Sequence, residues 1–341
     1  MIEKKIVIIS NESVFFEKNN FYCDNIDMKS IPEELNKKFS VIYISRFSKI
    51  KRFNKININK IKASSNILTF LLDVLKTIQY KNTKYLIVSI TPYTFFSFLL
   101  LFLFRKNIFI YLRSDGFKEY EMILGKKWIW IYKVMFNITT FSSKIISCHE
   151  NLAKGKKQKL IKPSELDREW FSHLKEANLK SPNLLYVGRL KIEKGIYSLI
   201  NIFKSIESKF NLTLVGDGDN LQKEQLNNIK LKTFINTKHE LINCYDDHNI
   251  VVLPSFTEAH PKVIDEALAR LRPVIVFQDI KHVIGSRKGV FSTERKPNSL
   301  KEMIFYIMSN YKNIQNEMKK NILPTKENFI NDLENVLEEQ N

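Results

Sequence analysis

Short apolar runs alternate with stretches of helical periodicity along the whole chain, the mark of β-α-β units rather than of an all-helical or all-β protein. In the first half, runs at 5–9, 40–44, 85–89, 107–112 and 144–147 predict strands. Periodic stretches at 65–79, 92–104, 126–136 and 164–175 predict helices, and the basic, polar segment 46–62 predicts an exposed loop. The alternation resumes after the Ser181-Pro182 pair, with strands expected near 183–187, 211–215, 231–234, 250–253, 273–277 and 289–291. An amphipathic helix is expected over 325–339. The pattern predicts an α/β protein of two domains, 1–178 and 179–318, followed by a C-terminal segment, 319–341.

Composition changes this picture little, except in charge. Apolar residues make up 44% and charged residues 26% of the 341 positions, as in ordinary globular proteins. The three cysteines, Cys23, Cys148 and Cys244, are scattered without a C-x-x-C pair. They indicate neither a disulfide framework nor a zinc site, and a reducing, cytoplasmic setting is expected. The first apolar run is too short for the core of a signal peptide.

The net charge is +18, and it is unevenly placed. Residues 1–180 hold 32 Lys and Arg against 16 Asp and Glu, whereas 181–341 hold 22 against 20. A lysine-rich genome explains part of such an excess but does not explain why the second half is spared. The asymmetry predicts an anionic partner for the first half, phospholipid or nucleic acid.

Two segments in that half favour phospholipid. The apolar run 93–104 would span ~18 Å as a helix, too short for a ~30 Å hydrocarbon core. It reads either as a buried helix or as one lying in the bilayer interface, anchored by Arg105 and Lys106. The segment 126–133 mixes lysines with Trp128, Trp130 and Tyr132, side chains favoured at headgroup depth. Together they predict contact with an anionic membrane surface, with the protein peripheral on its cytoplasmic face. No nucleic acid is expected.

The chemistry is concentrated in the second half. Val187-Gly188-Arg189-Leu190 and Glu193-Lys194-Gly195 place cations and free backbone N–H groups where a strand gives way to a helix, an arrangement suited to a phosphate. Pro254-Ser255-Phe256-Thr257-Glu258 and Glu266-Ala267 place two carboxylates across another strand-to-helix junction. Carboxylates accept hydrogen bonds from sugar hydroxyls. Cations for a diphosphate and carboxylates for hydroxyls describe a nucleotide-sugar site.

With Val215-Gly216-Asp217-Gly218 between them, these motifs resemble, in order and spacing, those of the retaining glycosyltransferases of the GT-B fold, in particular their large family 4. The resemblance covers about residues 181–300. It implies two Rossmann-like domains with a nucleotide-sugar cleft between them, and a final helix that crosses back to the first domain. It further implies a hexosyltransferase that needs no metal or other cofactor, because Arg189 and Lys194 neutralise the diphosphate beside Gly188. Glu266 is assigned the ribose hydroxyls, and Glu258 the transferred sugar. The acceptor implied is a glycan or lipid-linked glycan, as in surface-polysaccharide or lipopolysaccharide assembly.

The chain departs from the family in places. Glycines usually follow the first glutamate, where this sequence has Ala259-His260-Pro261-Lys262, which gives His260 and Lys262 candidate donor contacts. The later G-x-P-V is Leu271-Arg272-Pro273-Val274. Family members often carry a histidine near one strand end of the first domain. Here Arg113 and Asp115 stand closest, and Asp115 is a candidate for orienting donor or acceptor, or else a loop cap. His149 is as compatible with a structural role. Asp217-Gly218-Asp219 superficially resembles a metal-binding D-x-D, but it follows a strand and matches the G-D-G turn. Two rivals remain: a nucleotide-sugar 2-epimerase on the same fold, for which no acid/base set is visible, and a non-enzymatic polyanion-binding protein.

Overall fold

The computed structural model describes residues 4–206, 210–216, 228–232, 235 and 237–339. The chain forms two compact units, one comprising Met1–Pro163 with Glu327–Asn341, the other Ser164–Lys326.

In the first unit the order is β1 (Lys5–Glu17), β2 (Asn20–Cys23), α1 (Asp27–Leu35), β3 (Ser40–Phe47), β4 (Asn54–Ile56), β5 (Ile61–Ser64) and α2 (Ile67–Thr77). Then follow β6 (Thr83–Val88), α3 (Pro92–Leu103), β7 (Asn107–Leu112), α4 (Gly116–Leu124), α5 (Ile129–Phe141), β8 (Lys144–Ser147) and β9 (Lys159–Leu160). The parallel strands run β5-β3-β1-β6-β7-β8-β9, and β2 and β4 pair antiparallel beside the far end of β1. Capping sets the helix starts. Asn66 with Thr69 and Thr91 with Thr94 form reciprocal caps ahead of α2 and α3, and Pro92 opens α3.

The second unit contains α6 (Arg168–Phe171), β10 (Asn183–Val187), α7 (Ile196–Lys204), β11 (Asn211–Val215), β12 (Ile229–Lys232), α8 (Lys238–Asp246) and β13 (Ile250–Leu253). After these come α9 (Lys262–Ala269), β14 (Val274–Phe277), β15 (Val290–Thr293), α10 (Pro297–Ser309) and α11 (Tyr311–Met318). Its sheet is wholly parallel, in the order β12-β11-β10-β13-β14-β15. Strands β13 and β14 are buried throughout, which is why they read as unbroken Ile-Val-Leu runs rather than alternating ones. In both sheets the order reverses beside the first strand, between β1 and β6 and between β10 and β13, as in the doubly wound Rossmann arrangement.

Three expectations are corrected. Segment 46–62 is not a plain loop, because Arg46 and Phe47 extend β3 and Asn54–Ile56 pairs with β2. Ile56, Ile58 and Ile61 are drawn inward and buried, while Ile50 stays exposed. The helix expected over 164–175 shrinks to the single turn of α6. Arg270 donates to the carbonyls of Trp170, Ser172 and His173, and Arg272 to that of Lys175; Trp170 O is the acceptor that a helix over 164–175 would have given to Leu174 N. The same bonds place 164–178 in the second unit, so the units divide at Pro163 rather than at 178/179.

The last helix, α12 (Lys326–Glu338), packs in the first unit through Phe329, Leu333 and Leu337, all buried. Glu334 and Glu338 reach Lys38, and Glu338 also reaches Lys4. These exposed pairs contribute little; the apolar face holds the helix. The segment before it, through Lys326, stays with the second unit.

Candidate functional site

In a doubly wound sheet, ligands bind beyond the carboxyl ends of the two strands where the order reverses. In the second unit those strands are β10 and β13, and both clusters of chemically suited residues follow them.

The loop after β10 is shaped by glycine. Gly188 (φ +154°) donates its N–H to Val215 O at 3.0 Å, while the Tyr186 hydroxyl donates to Arg189 O at 2.7 Å and pins the turn from below. A Cβ on Gly195 would lie 1.9 Å from Pro254 O, and Gly195 sits at φ +69°. The backbone after β10 is therefore pressed against the backbone after β13, and Phe256 N donates to Glu193 O at 3.1 Å. Gly195→Ala should cost well over the ~1–2 kcal/mol of a left-handed alanine, because the colliding atom is backbone and cannot swing away. Thermal melting of the variant tests this, and an unchanged midpoint would refute it.

This approach brings Lys194 and Glu258 together. Lys194 Nζ lies 2.6 Å from Glu258 Oε1, and the same oxygen accepts from Ser255 Oγ at 2.8 Å. His282 Nε2 donates to Glu258 O at 2.8 Å, holding the carboxylate's backbone. Arg189 differs: its side chain is 63% exposed and its guanidinium lies 3.9 Å from Glu193. It is an open cation next to a half-buried ion pair.

Glu266 stands in the second turn of α9, whose first residue is Lys262 after a Pro261 cap. The Tyr245 hydroxyl donates to Glu266 Oε2 at 2.7 Å. Burial, reinforced by the Glu266 carboxylate, pushes the Tyr245 phenol far above its ordinary range, so it remains a neutral donor.

His260 lies beside a buried carboxylate. Its side chain is 4% exposed, with Nε2 at 3.0 Å from Asp265 Oδ2, and Arg287 Nε donates to the other Asp265 oxygen at 2.8 Å. Burial alone would raise the Asp265 carboxyl, but His260 and Arg287 outweigh it and hold it below the usual range. The imidazole thus lies against the buried Asp265–Arg287 ion pair at the start of α9.

In the first unit, Asp115 caps α4, accepting from the N–H groups of Phe117 and Lys118, with Lys154 at 3.4 Å. Arg113 pairs with the buried Asp27, and His149 Nδ1 accepts from Asn151 N at 3.3 Å. The turn Asp217-Gly218-Asp219 lies outside the described residues, apart from the adjoining Gly216.

The motifs did not mark Tyr186, Tyr245, Asp279 or Arg295. Arg295 lies over Phe256 and Phe277, at 4.2 and 4.4 Å from the ring centres, and donates to Pro254 O at 3.0 Å and to Asp279 at 2.7 Å. Asp279 and Arg295 follow β14 and β15 at the same sheet end, so attention to every strand terminus would have found them. The two tyrosines carry no local signal.

A pair of doubly wound units with cations and carboxylates at a switch point defines a class, the GT-B glycosyltransferase fold. Anabaena HepE in complex with UDP-glucose has the same fold, at a TM-score of 0.68 and 13% identity over 98% of this chain and 99% of that one. Residues 168–323, most of the second unit, match the family described as glycosyl transferases group 1. The chain is 29% identical over 143 residues to an uncharacterized glycosyltransferase of Haemophilus influenzae, covering 38% of this chain and 39% of that one. It is 24% identical over 230 residues to an uncharacterized 41.2 kDa protein in the cps region of Klebsiella pneumoniae, covering 67% and 62%. The chain thus spans less than two thirds of the length of these relatives.

Proposed function

We propose that this protein is a retaining glycosyltransferase that moves a hexose from a nucleotide-diphosphate sugar to a glycan or lipid-linked glycan during surface-polysaccharide or lipopolysaccharide assembly. The observation that carries the reading is the set at the β10/β13 switch point of a group 1 domain: Arg189 and Lys194 for the diphosphate, Glu258 and Glu266 for hydroxyls. The Klebsiella relative's place in a cps region and the UDP-glucose bound to HepE support the polysaccharide setting and the donor class.

Charge growing on the leaving phosphate is met by the open Arg189 guanidinium and by Lys194. An ammonium has three donors, so Lys194 can keep Glu258 while turning another N–H to phosphate. In the mechanism proposed, the leaving phosphate takes the proton of the attacking hydroxyl on the same face. The fixed cations take the place of a metal ion, and turnover should survive EDTA.

The test is incubation with a panel of nucleotide-diphosphate hexoses, with and without oligosaccharide acceptors, followed by chromatography. Free nucleotide appearing only with acceptor is expected; a converted sugar nucleotide, or no reaction with any pair, would refute the reading. Loss of turnover on chelation, restored by magnesium or manganese, would overturn the metal-free part. Glu266→Ala should raise donor KM with little change in kcat, because ribose contacts change little between ground and transition states.

A further inference from the structure

Helices α2, α3, α4 and α5 cover one face of the first unit, α3 packing on both α2 and α5, and α4 on α5. Their inner sides complete the core through Phe70, Val74, Phe98, Leu101, Met135 and Phe136, all buried. A helix on a soluble surface is expected to turn charged and polar residues outward. These do not. Leu68, Leu72 and Leu75 are exposed on α2 at one helical face, and Trp130, Val134, Ile138 and Phe141 repeat that spacing on α5. Between and beside them, Leu103 at the end of α3 is 76% exposed, Ile123 on α4 75%, and Phe141 87%. Exposed apolar surface of this extent marks a contact surface rather than scattered surface residues.

We infer that this face docks onto an anionic phospholipid bilayer, its outer apolar stripes entering the interface while the surrounding cations meet the headgroups. Lys76, Arg105, Lys118, Lys126, Lys127 and Lys133 are all exposed around it. Over 92–141 there are seven Lys and Arg against three Asp and Glu. That rim is why the occupant is not a second copy of the chain, which would bring like charges together across the contact. A polynucleotide would engage the cations and leave the apolar stripes in water. Among the described residues no helix is long and apolar enough to cross a membrane, so the mode is interfacial. Trp128 and Trp130, both exposed, stand where indole rings favour headgroup depth.

The surface is independent of the transferase reading and can be tested without donor. Full-length protein is sedimented with vesicles of phosphatidylglycerol and phosphatidylcholine in equal parts, and with phosphatidylcholine alone. Binding to the anionic vesicles is expected to weaken in high salt but leave a salt-resistant fraction. The triple variant Leu103→Glu, Ile123→Glu, Phe141→Glu alters only side chains that face solvent. It should lose that fraction by at least about tenfold. Tryptophan emission should shift to the blue on adding anionic vesicles. Trp128 and Trp130 report this, since the third tryptophan, Trp170, is only 2% exposed within the second unit. A variant that sediments like the parent in high salt overturns the proposal. So does a solution dimer dissolved by the same substitutions, or tight RNA binding with no vesicle binding.

Discussion

Lys194→Ala is expected to lower turnover with a nucleotide-diphosphate sugar by about 10²–10³, the scale of removing one donor from developing negative charge. Two effects combine in this variant. The phosphate loses a point charge, and Glu258 loses its 2.6 Å partner while keeping Ser255 at 2.8 Å. Arg189→Ala should lose a similar factor by the first effect alone, since among the described residues its guanidinium has only Glu193, at 3.9 Å, to release. A double-mutant cycle separates the two. Lys194→Ala combined with Glu258→Gln should cost clearly less than the sum of the single losses, because the two side chains act as one pair. Arg189→Ala with Glu258→Gln should come closer to additive. Near-normal kcat/KM in both Arg189→Ala and Lys194→Ala would remove the cations from the site and with them the proposed mechanism.

Arg270→Ala is expected to destabilise the second unit by about 3–5 kcal/mol, the usual cost of removing one partner from a buried ion pair. Arg270 holds Asp246 through two bonds, at 2.9 and 2.7 Å, and both side chains are within a few per cent of full burial. It also serves the carbonyls of Trp170, Ser172 and His173, so alanine strands a carboxylate and three acceptors together. Arg272 is too far to replace it, at 3.8 Å from Asp246 and committed to four carbonyls of its own. Calorimetry should show the loss in one transition, with α12 and the first unit little affected. Replacing both members, as Arg270→Met with Asp246→Leu, should cost less than Arg270→Ala alone, because no buried charge is left behind. A single variant that melts with the parent would refute the account.

Much of the fold was legible because it is written locally. The runs at 107–112 and 144–147 coincide with β7 and β8, and those at 183–187, 211–215 and 250–253 with β10, β11 and β13. Strands buried on both faces need unbroken apolar runs, and such runs can be read without knowing their neighbours. The helix 164–175 was illegible for the opposite reason: the group that takes the Trp170 carbonyl is Arg270, a hundred positions later. Leu271 is a similar case. It stands where the motif resemblance led one to expect glycine, and it takes the left-handed conformation itself (φ +54°), while Gln315 donates to its carbonyl at 3.1 Å.

Within the site, the residue types at the two strand ends were visible as motifs, but the partners of their side chains were not. Nothing in Glu266-Ala267 points to Tyr245, and nothing in the sequence turns His260 away toward Asp265 and Arg287. Asp115 was open between a ligand contact and a cap, and the structure places it as the cap of α4.

The apolar stretch 93–104 was conspicuous as sequence, whereas Leu68, Leu72 and Leu75 were not. They look like any buried helical stripe until the fold assigns the inner side of α2 to Phe70 and Val74. The sequence by itself determined the α/β alternation, the glycosyltransferase motifs of the second unit and the one-sided charge, because periodicity, strand-to-helix junctions and composition are properties of neighbouring residues. Only the tertiary structure decided that Lys194 meets Glu258, that Arg270 takes the Trp170 carbonyl and that one face of four helices is left apolar, because a side chain's partner and exposure depend on segments brought to it from far along the chain.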